Sequence, residues 1–297
     1  MARDRWAEWI LSRRFGGDES AAAHMLEGLG KVRDRVLERA EVREGETVLD
    51  VGCGDGLIAF GALERVGAGG HVIFSDVSQD LLDVSRELAD GDARCEFVLA
   101  GAEDLAPIAD ESVDVVAMRS VIIYISDKRA AFGEFFRVLR PGGRLSMFEP
   151  INRFTYPEPE GRFLGVDLHE IQPLVQRLRD CYNELGSGDE AMLDFDERDL
   201  VELAHEAGFP RVDVQLEARI ERGRIWGSEP PPLERLLETA PNPNAPTFQE
   251  VLAAEFTANE RERFLAYLRP RYEAREMIGR QAIAYLRART GNARPPA

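Results

Sequence analysis

The sequence predicts a doubly wound α/β fold, a parallel sheet with helices on both faces. Three observations predict it. Strand-like and helix-like segments alternate regularly between about residues 46 and 149, the pattern that produces parallel strands joined by crossover helices. The first strand is closed by glycines at 52, 54 and 56, where a backbone can approach a ligand closely. The second strand ends on an acid, Asp76, placed to accept hydrogen bonds from the hydroxyls of a ribose.

Each element has its own signal. Met25, Leu29, Val32 and Val36 recur at helical spacing, so an amphipathic helix precedes residue 41. Glu46 to Val51 reads as a short buried strand, and His71 to Asp76 as the second. Ser78 then caps a helix that turns Leu81, Val84 and Leu88 inward. Arg94 to Leu99 and Val113 to Met118 are the third and fourth strands. A helix with Phe132, Phe135, Phe136 and Leu139 on one face is stopped by Pro141-Gly142-Gly143, and Arg144 to Glu149 is the fifth strand.

The second half leaves this rhythm. Residues 151–195 hold Pro157, Pro159, Gly161 and Gly165, then a helix from about Pro173 with Ile171, Leu174, Leu178, Tyr182 and Leu185 aligned. Asp196 caps a helix carrying Leu200, Leu203 and Ala207, and Gly208-Phe209-Pro210 leads into a sixth strand, Val212 to Ile220. A proline-rich loop follows, with two capping boxes, Thr247 to Glu250 and Thr257 to Glu260. Gln281 to Leu286 fits either a last strand or a helix end.

Composition narrows the partners. The 297 residues carry 54 acidic and 37 basic side chains, a formal charge of −17. That argues against nucleic acid, because neutralising phosphates needs clustered cations. The basic residues are arginines except Lys31 and Lys128, and runs such as Glu260-Arg261-Glu262-Arg263 interleave the two signs as a solvated helix face does. No apolar stretch reaches the ~20 residues of a membrane span, and the first ten residues lack a secretory core. Cys53, Cys95 and Cys181 have no metal-ligand spacing and suit reduced thiols in a cytoplasm. A small-molecule acceptor is the expected partner, and a homodimer is left open.

The segment Asp50-Val-Gly52-Cys-Gly54-Asp-Gly56 resembles motif I of class I S-adenosylmethionine (SAM) dependent methyltransferases. A dinucleotide fingerprint would need a third glycine where Leu57 stands. Four further segments match the same family in order: Phe74 to Ser78, Gly101 to Leu105, Ser112 to Val116, and Val138 to Leu145 with its Pro141-Gly142-Gly143. The resemblance covers about residues 30–150. It implies a mostly parallel seven-stranded sheet, the class I methyltransferase fold, whose antiparallel seventh strand lies between the fifth and sixth. Val212–Ile220 would then be strand six and Ile283–Leu286 strand seven. The whole of 1–297 becomes one methyltransferase domain, with N-terminal helices over 1–40 and a SAM-binding core over 41–150. Residues 151–195 and 224–276 become helical lid insertions that cap the acceptor.

The resemblance also assigns roles. Gly52, Gly54 and Gly56 form the loop, with Gly52 and Gly54 under the methionine part of SAM and Asp50 serving its ammonium group. Asp76 takes the ribose hydroxyls within a turn that includes Val77, and Ala102 and Glu103 meet the adenine edge. Met118, Arg119 and Ser120 close over the reacting end, where Arg119 binds the SAM carboxylate, binds an acidic acceptor, or pairs with a surface acid.

Methyl transfer from a sulfonium is an in-line displacement, so the protein mainly positions its reactants and excludes water. A base is needed only if the nucleophile must lose a proton. His169 and Glu170, just before the insertion helix, are the expected candidates, with Tyr156 as a positioning group and Tyr124 and Glu149 behind them. A histidine that merely fringes the helix would look the same. Phe154, Tyr156, Phe163, Tyr182 and Trp226 either line an apolar pocket or form lid core. The transfer can be to carbon, oxygen or nitrogen of a lipid-like, prenyl or secondary metabolite. Arsenite is disfavoured, since it needs clustered thiolates. The competing readings are a non-catalytic SAM-binding protein and a nicotinamide-dependent oxidoreductase.

Overall fold

A computed structural model describes residues 3–13, 19–184, 189–225 and 228–292. Its strands are β1 (Thr47–Val51), β2 (His71–Asp76), β3 (Cys95–Leu99), β4 (Val113–Arg119), β5 (Leu139–Pro150), β6 (Arg162–Phe163), β7 (Val166–Asp167), β8 (Arg211–Arg222) and β9 (Ile278–Arg289). Seven of them form one sheet in the order β3-β2-β1-β4-β5-β9-β8. β1 to β5 run parallel, while β9 pairs antiparallel with both β5 and β8. The order turns outward in both directions from β1 and β4, which opens a crevice at their carboxyl ends.

The helices are α1 (Arg5–Leu11), α2 (Glu19–Ala40), α3 (Leu57–Val66), α4 (Gln79–Leu88), α5 (Lys128–Val138), α6 (Gln172–Glu184), α7 (Asp189–Leu193), α8 (Glu197–Glu206), α9 (Leu233–Glu238), α10 (Phe248–Glu255) and α11 (Ala258–Glu273). Those flanking the sheet cover both faces, so its central strands are apolar throughout rather than alternating. Val48, Val72, Phe74 and Val115 face α2, α3 and α4. Leu49, Val116, Met118 and Met147 face α5 and α8. Phe132 and Phe135 of α5 are fully buried there, worth about 1.5–3 kcal/mol each. Ser78 caps α4 by accepting the Leu81 N–H at 3.1 Å.

Strand order agrees with the sequence, and several bounds do not. The helix expected to include Leu139 ends at Val138, and Leu139 already opens β5. β9 is a strand of 12 residues where the sequence suggests only Ile283–Leu286, and β8 extends to Arg211 and Arg222. The insertion helix starts at Gln172, after a 3-10 turn over His169–Ile171. The side chain of Met25, with Leu185 and Trp226, lies outside the described residues.

The two insertions expected as a lid share one core. Phe163, Val166, Leu168, Ile171, Val175 and Leu178 pack with Ile225, Leu233, Phe248, Leu252, Phe264 and Tyr272. Rings from the two segments meet edge-on, Phe163 with Phe248 at 5.1 Å and with Phe264 at 5.5 Å, and Tyr182 with Phe248 at 5.6 Å. Each insertion alone would expose this apolar face; together they bury it. Both capping boxes form as read, at Thr247 and Thr257.

Candidate functional site

The glycine loop leaves β1 with Gly52, Gly54 and Gly56 at φ of 62°, 56° and 85°. A Cβ at Gly52 would lie 2.7 Å from Val121 Cγ2 and one at Gly56 2.5 Å from Phe60 Cε2, so both are fixed by packing. A Cβ at Gly54 would meet only Ile10 Cδ1, at 3.5 Å, so this glycine faces the crevice under α1.

Asp76 binds the loop to the second strand. Its Oδ2 accepts the Gly54 N–H at 2.8 Å and its Oδ1 the Ser78 N–H at 2.9 Å. Burial raises its pKa against these hydrogen bonds. Each oxygen keeps a second lone pair, the capacity a vicinal diol needs. Next to it Val77 is 56% exposed, an apolar platform beside Gly101, whose Cβ would sit 3.3 Å from Val77 Cγ1. Ala102 is buried and Glu103 exposed, the latter accepting the Asp127 N–H at 2.9 Å. Ribose and a flat base fit this corner.

The far end of the crevice is charged. Asp50 is buried, and its Oδ2 accepts the Ala59 N–H at 2.9 Å at the start of α3. Burial pushes its pKa well up. Arg119 ends β4, and burial lowers its pKa although Asp55, Tyr124, Glu149 and Asp50 oppose the shift. Its hydrogen bond is a long one to Ser120 Oγ at 3.5 Å, and it enters none of the ion pairs among the described residues. A half-buried guanidinium without an ion pair is a receptor for an anion. An ammonium near Asp50 and a carboxylate on Arg119 would accommodate an amino-acid zwitterion. The residues present therefore fit SAM along its whole length.

Ser120 takes a positive φ of 56°, which costs a non-glycine residue of order 1–3 kcal/mol. It turns the chain so that residues 121–124 fold over the end of β5. Glu149 holds that turn. Its Oε1 accepts the N–H groups of Val121 and Ile122 at 2.9 and 3.0 Å, and its Oε2 that of Ile123 at 3.4 Å. Burial raises its pKa to about 7 despite these three donors.

Above the turn lies α1, which sequence reasoning had counted among the N-terminal helices without a role. Asp4 caps it, and Asp4 also accepts the Ser78 hydroxyl at 2.6 Å while its N–H donates to Asp80. Trp6 and Trp9 meet the Tyr124 ring edge-on at 5.0 and 6.1 Å. The Trp9 indole donates to Ala240 O at 3.0 Å. The helix thus straps the ribose corner to the lid. Its signal was there to read: an aspartate ahead of Trp6, Trp9 and Ile10 at helical spacing.

The residues expected as base and positioning group lie on the lid. His169 Nδ1 is 2.7 Å from Asp167 Oδ1, and Glu170 Oε1 accepts from Arg271 at 2.7 Å. Both side chains are more than half exposed. Tyr156 is half-buried and its N–H donates to Asn152 O. Phe163 and Tyr182 are lid core, while Phe154 stacks under Arg280 at 5.1 Å. Cys53, Cys95 and Cys181 are free and stand on the glycine loop, β3 and α6. No metal-binding cluster occurs among the described residues, and none of their helices is long and apolar enough to cross a membrane.

Residues 49–147 match the family model described as a methyltransferase domain. An arsenite methyltransferase of Halobacterium salinarum is 32% identical over 68% of this chain and 48% of its own length. A ubiquinone/menaquinone biosynthesis C-methyltransferase of Francisella tularensis subsp. novicida is 27% identical over 62% of this chain and 74% of its own. The chain thus spans about half the length of the first of these relatives and three quarters of the second. A phosphoethanolamine N-methyltransferase 2 of Haemonchus contortus shares the fold, with a TM-score of 0.54 at 20% identity, covering 96% of this chain and 56% of that one.

Proposed function

We propose that this chain, which belongs to the class I SAM-dependent methyltransferases, transfers the methyl group to a small-molecule acceptor enclosed by the lid and α1. The observation that carries the reading is the crevice itself: a glycine loop, a buried diol acceptor at Asp76, and a half-buried cation at Arg119 without an ion-pair partner among the described residues. SAM supplies an activated methyl group on a sulfonium. The chain's residues hold it in line and keep water out. Asp50 and Arg119 take the ammonium and carboxylate, Asp76 the ribose, Val77 with Ala102 and Glu103 the adenine. Of the three partners open to Arg119, the SAM carboxylate is favoured by its proximity to Asp50.

The acceptor enters from the side that α1, Tyr124 and the lid share. His169 and Glu170 serve as base only if the lid brings them inward, since both are paired on its surface here. Three cysteines on separate elements supply no thiolate cluster, which favours carbon, oxygen or nitrogen over arsenic as the acceptor atom. Calorimetry with SAM and its demethylated product tests the cofactor half. Asp76→Ala should weaken both by about 1.5–3 kcal/mol, and unchanged affinity in a folded variant would remove the ribose assignment. Transfer of labelled methyl to a panel of small phenols, amines and prenylated quinols tests the rest.

A further inference from the structure

β8 is an edge strand of 12 residues, about 40 Å long, and among the described residues its outer side pairs with nothing. Its inner side is in register with β9 from end to end. Alternation gives it two unlike faces. The odd residues, Arg211, Asp213, Gln215, Glu217, Arg219 and Glu221, face α2, where Arg35 pairs with Glu217 at 2.6 Å. The even residues are Val212, Val214, Leu216, Ala218 and Ile220, on the face that α8 covers only at its start. Val214, Leu216 and Ile220 are 37%, 42% and 59% exposed. Such an edge ordinarily invites pairing unless something blunts it.

We propose that β8 is the interface with a second copy of this chain, paired antiparallel across a two-fold axis at Leu216 and joining two sheets into one of fourteen strands. The charges choose this register. Antiparallel self-pairing sets residue i opposite a residue of the same face only when the axis passes through a residue. With the axis at Leu216, Arg211 opposes Glu221 and Asp213 opposes Arg219, each twice by symmetry. Val212 then opposes Ile220, Val214 opposes Ala218, and Leu216 meets itself.

Neighbouring registers are worse. An axis at Gln215 sets Arg211 against Arg219 and Asp213 against Glu217. One at Glu217 sets Asp213 against Glu221 and Glu217 against itself. An axis at Ala218 keeps one favourable pair, Glu217 with Arg219, but shortens the overlap and leaves Arg211 and Asp213 unopposed. The charged side chains are available for exchange. Arg211 and Arg219 now pair only along their own strand, with Asp213 at 3.1 Å and Glu217 at 3.5 Å, and are 75% and 61% exposed. The same axis sets the half of β8 covered by α8 beside the partner's uncovered half, so Ile220 comes to lie next to the other copy's α8.

Sedimentation of the full chain tests this. The chain should form dimers that Leu216→Arg abolishes with the circular dichroism spectrum intact. Asp213→Arg sets like charges opposite Arg219 and should weaken the dimer roughly tenfold, and adding Arg219→Asp should restore it. Leu216→Cys should cross-link to a disulfide dimer under mild oxidation, where the parent chain with its three cysteines does not. A chain monomeric at every concentration overturns the proposal. So does a dimer that survives Leu216→Arg, or a charge swap without rescue.

Discussion

At the carboxyl ends of β1, β2 and β5, Asp50, Asp76 and Glu149 lie almost wholly out of water, with the half-buried Arg119 beside them. The lid is built otherwise. Its core is aliphatic and aromatic, and its charged side chains stay at least part-exposed among the described residues, although burial raises the pKa of Glu158 against a hydrogen bond from the Gly165 N–H. Its ions pair on the surface instead, Arg177 with Glu260, Arg269 with Glu234, Arg271 with Glu170. Burying charge costs several kcal/mol per ion unless a partner compensates. Away from the crevice, Arg144 is compensated by Glu46 and Lys128 by Asp194, whereas at the crevice a bound ligand can supply part of that compensation.

Exchanging insults between the two regions gives the largest expected effects. Gly54→Val should fill the crevice and drop SAM binding more than about a thousandfold, roughly 4 kcal/mol, with the melting of the lid unchanged. Phe264→Ala, at 0% exposure, should cost about 3–5 kcal/mol and loosen the lid while SAM still binds. Calorimetry and hydrogen exchange on both variants check this. Lid unfolding in Gly54→Val, or loss of SAM binding in Phe264→Ala, would show that the halves are one cooperative unit.

Glu149 gives the next effect. Its folded pKa, about 7, stands above its ordinary 4.5, so between those values the folded state holds a proton the unfolded state has released. The stability this group contributes is therefore full below pH 4.5 and is lost as pH rises through 7, by about 3 kcal/mol in all. Denaturant titrations from pH 5 to 8 should show the fall, and Glu149→Gln should flatten it. Trp6 and Trp9 report the same turn by fluorescence, since both meet Tyr124. A wild-type stability that rises over this range would place Glu149 outside the burial described.

Arg119 tests whether the crevice's cation serves the cofactor. Arg119→Met should weaken SAM by about 1.5–3 kcal/mol and leave an analogue lacking the amino-acid carboxylate unaffected. Equal losses with both ligands would move Arg119 to the acceptor.

The same contrast explains what was legible. β1 to β4 could be read because each is short and mostly apolar, with glycine or an acid closing the strand at Gly52 and Asp76. Of β9 only Ile283–Leu286 could be read: Gly279, Arg280, Gln281, Arg287 and Arg289 toward its ends give a weak strand signal that pairing on both sides overrides. The helix end at Val138 was misjudged because Leu139 is apolar and buried in either conformation. The strap α1 was visible as a helix, but its contacts with Ser78 and Ala240 join residues 74 and 231 positions apart. Beyond its two capping boxes the lid carries no motif, because apolar packing needs only volume.

The smallest effect concerns the one place where the lid would itself do chemistry. Glu170 and His169 are exposed, and breaking the Glu170–Arg271 pair should cost under about 1 kcal/mol. Stability therefore cannot mask a kinetic change in Glu170→Gln or His169→Ala. If the lid closes so that either takes a proton from the acceptor, turnover falls while SAM affinity stays, because neither touches the cofactor crevice. The loss should vanish for an acceptor that is already deprotonated at the assay pH, such as an acidic phenol. Wild-type turnover in both variants would confine the chemistry to the charged end of the sheet, with Tyr124 the group nearest the acceptor, and the lid would then only exclude water.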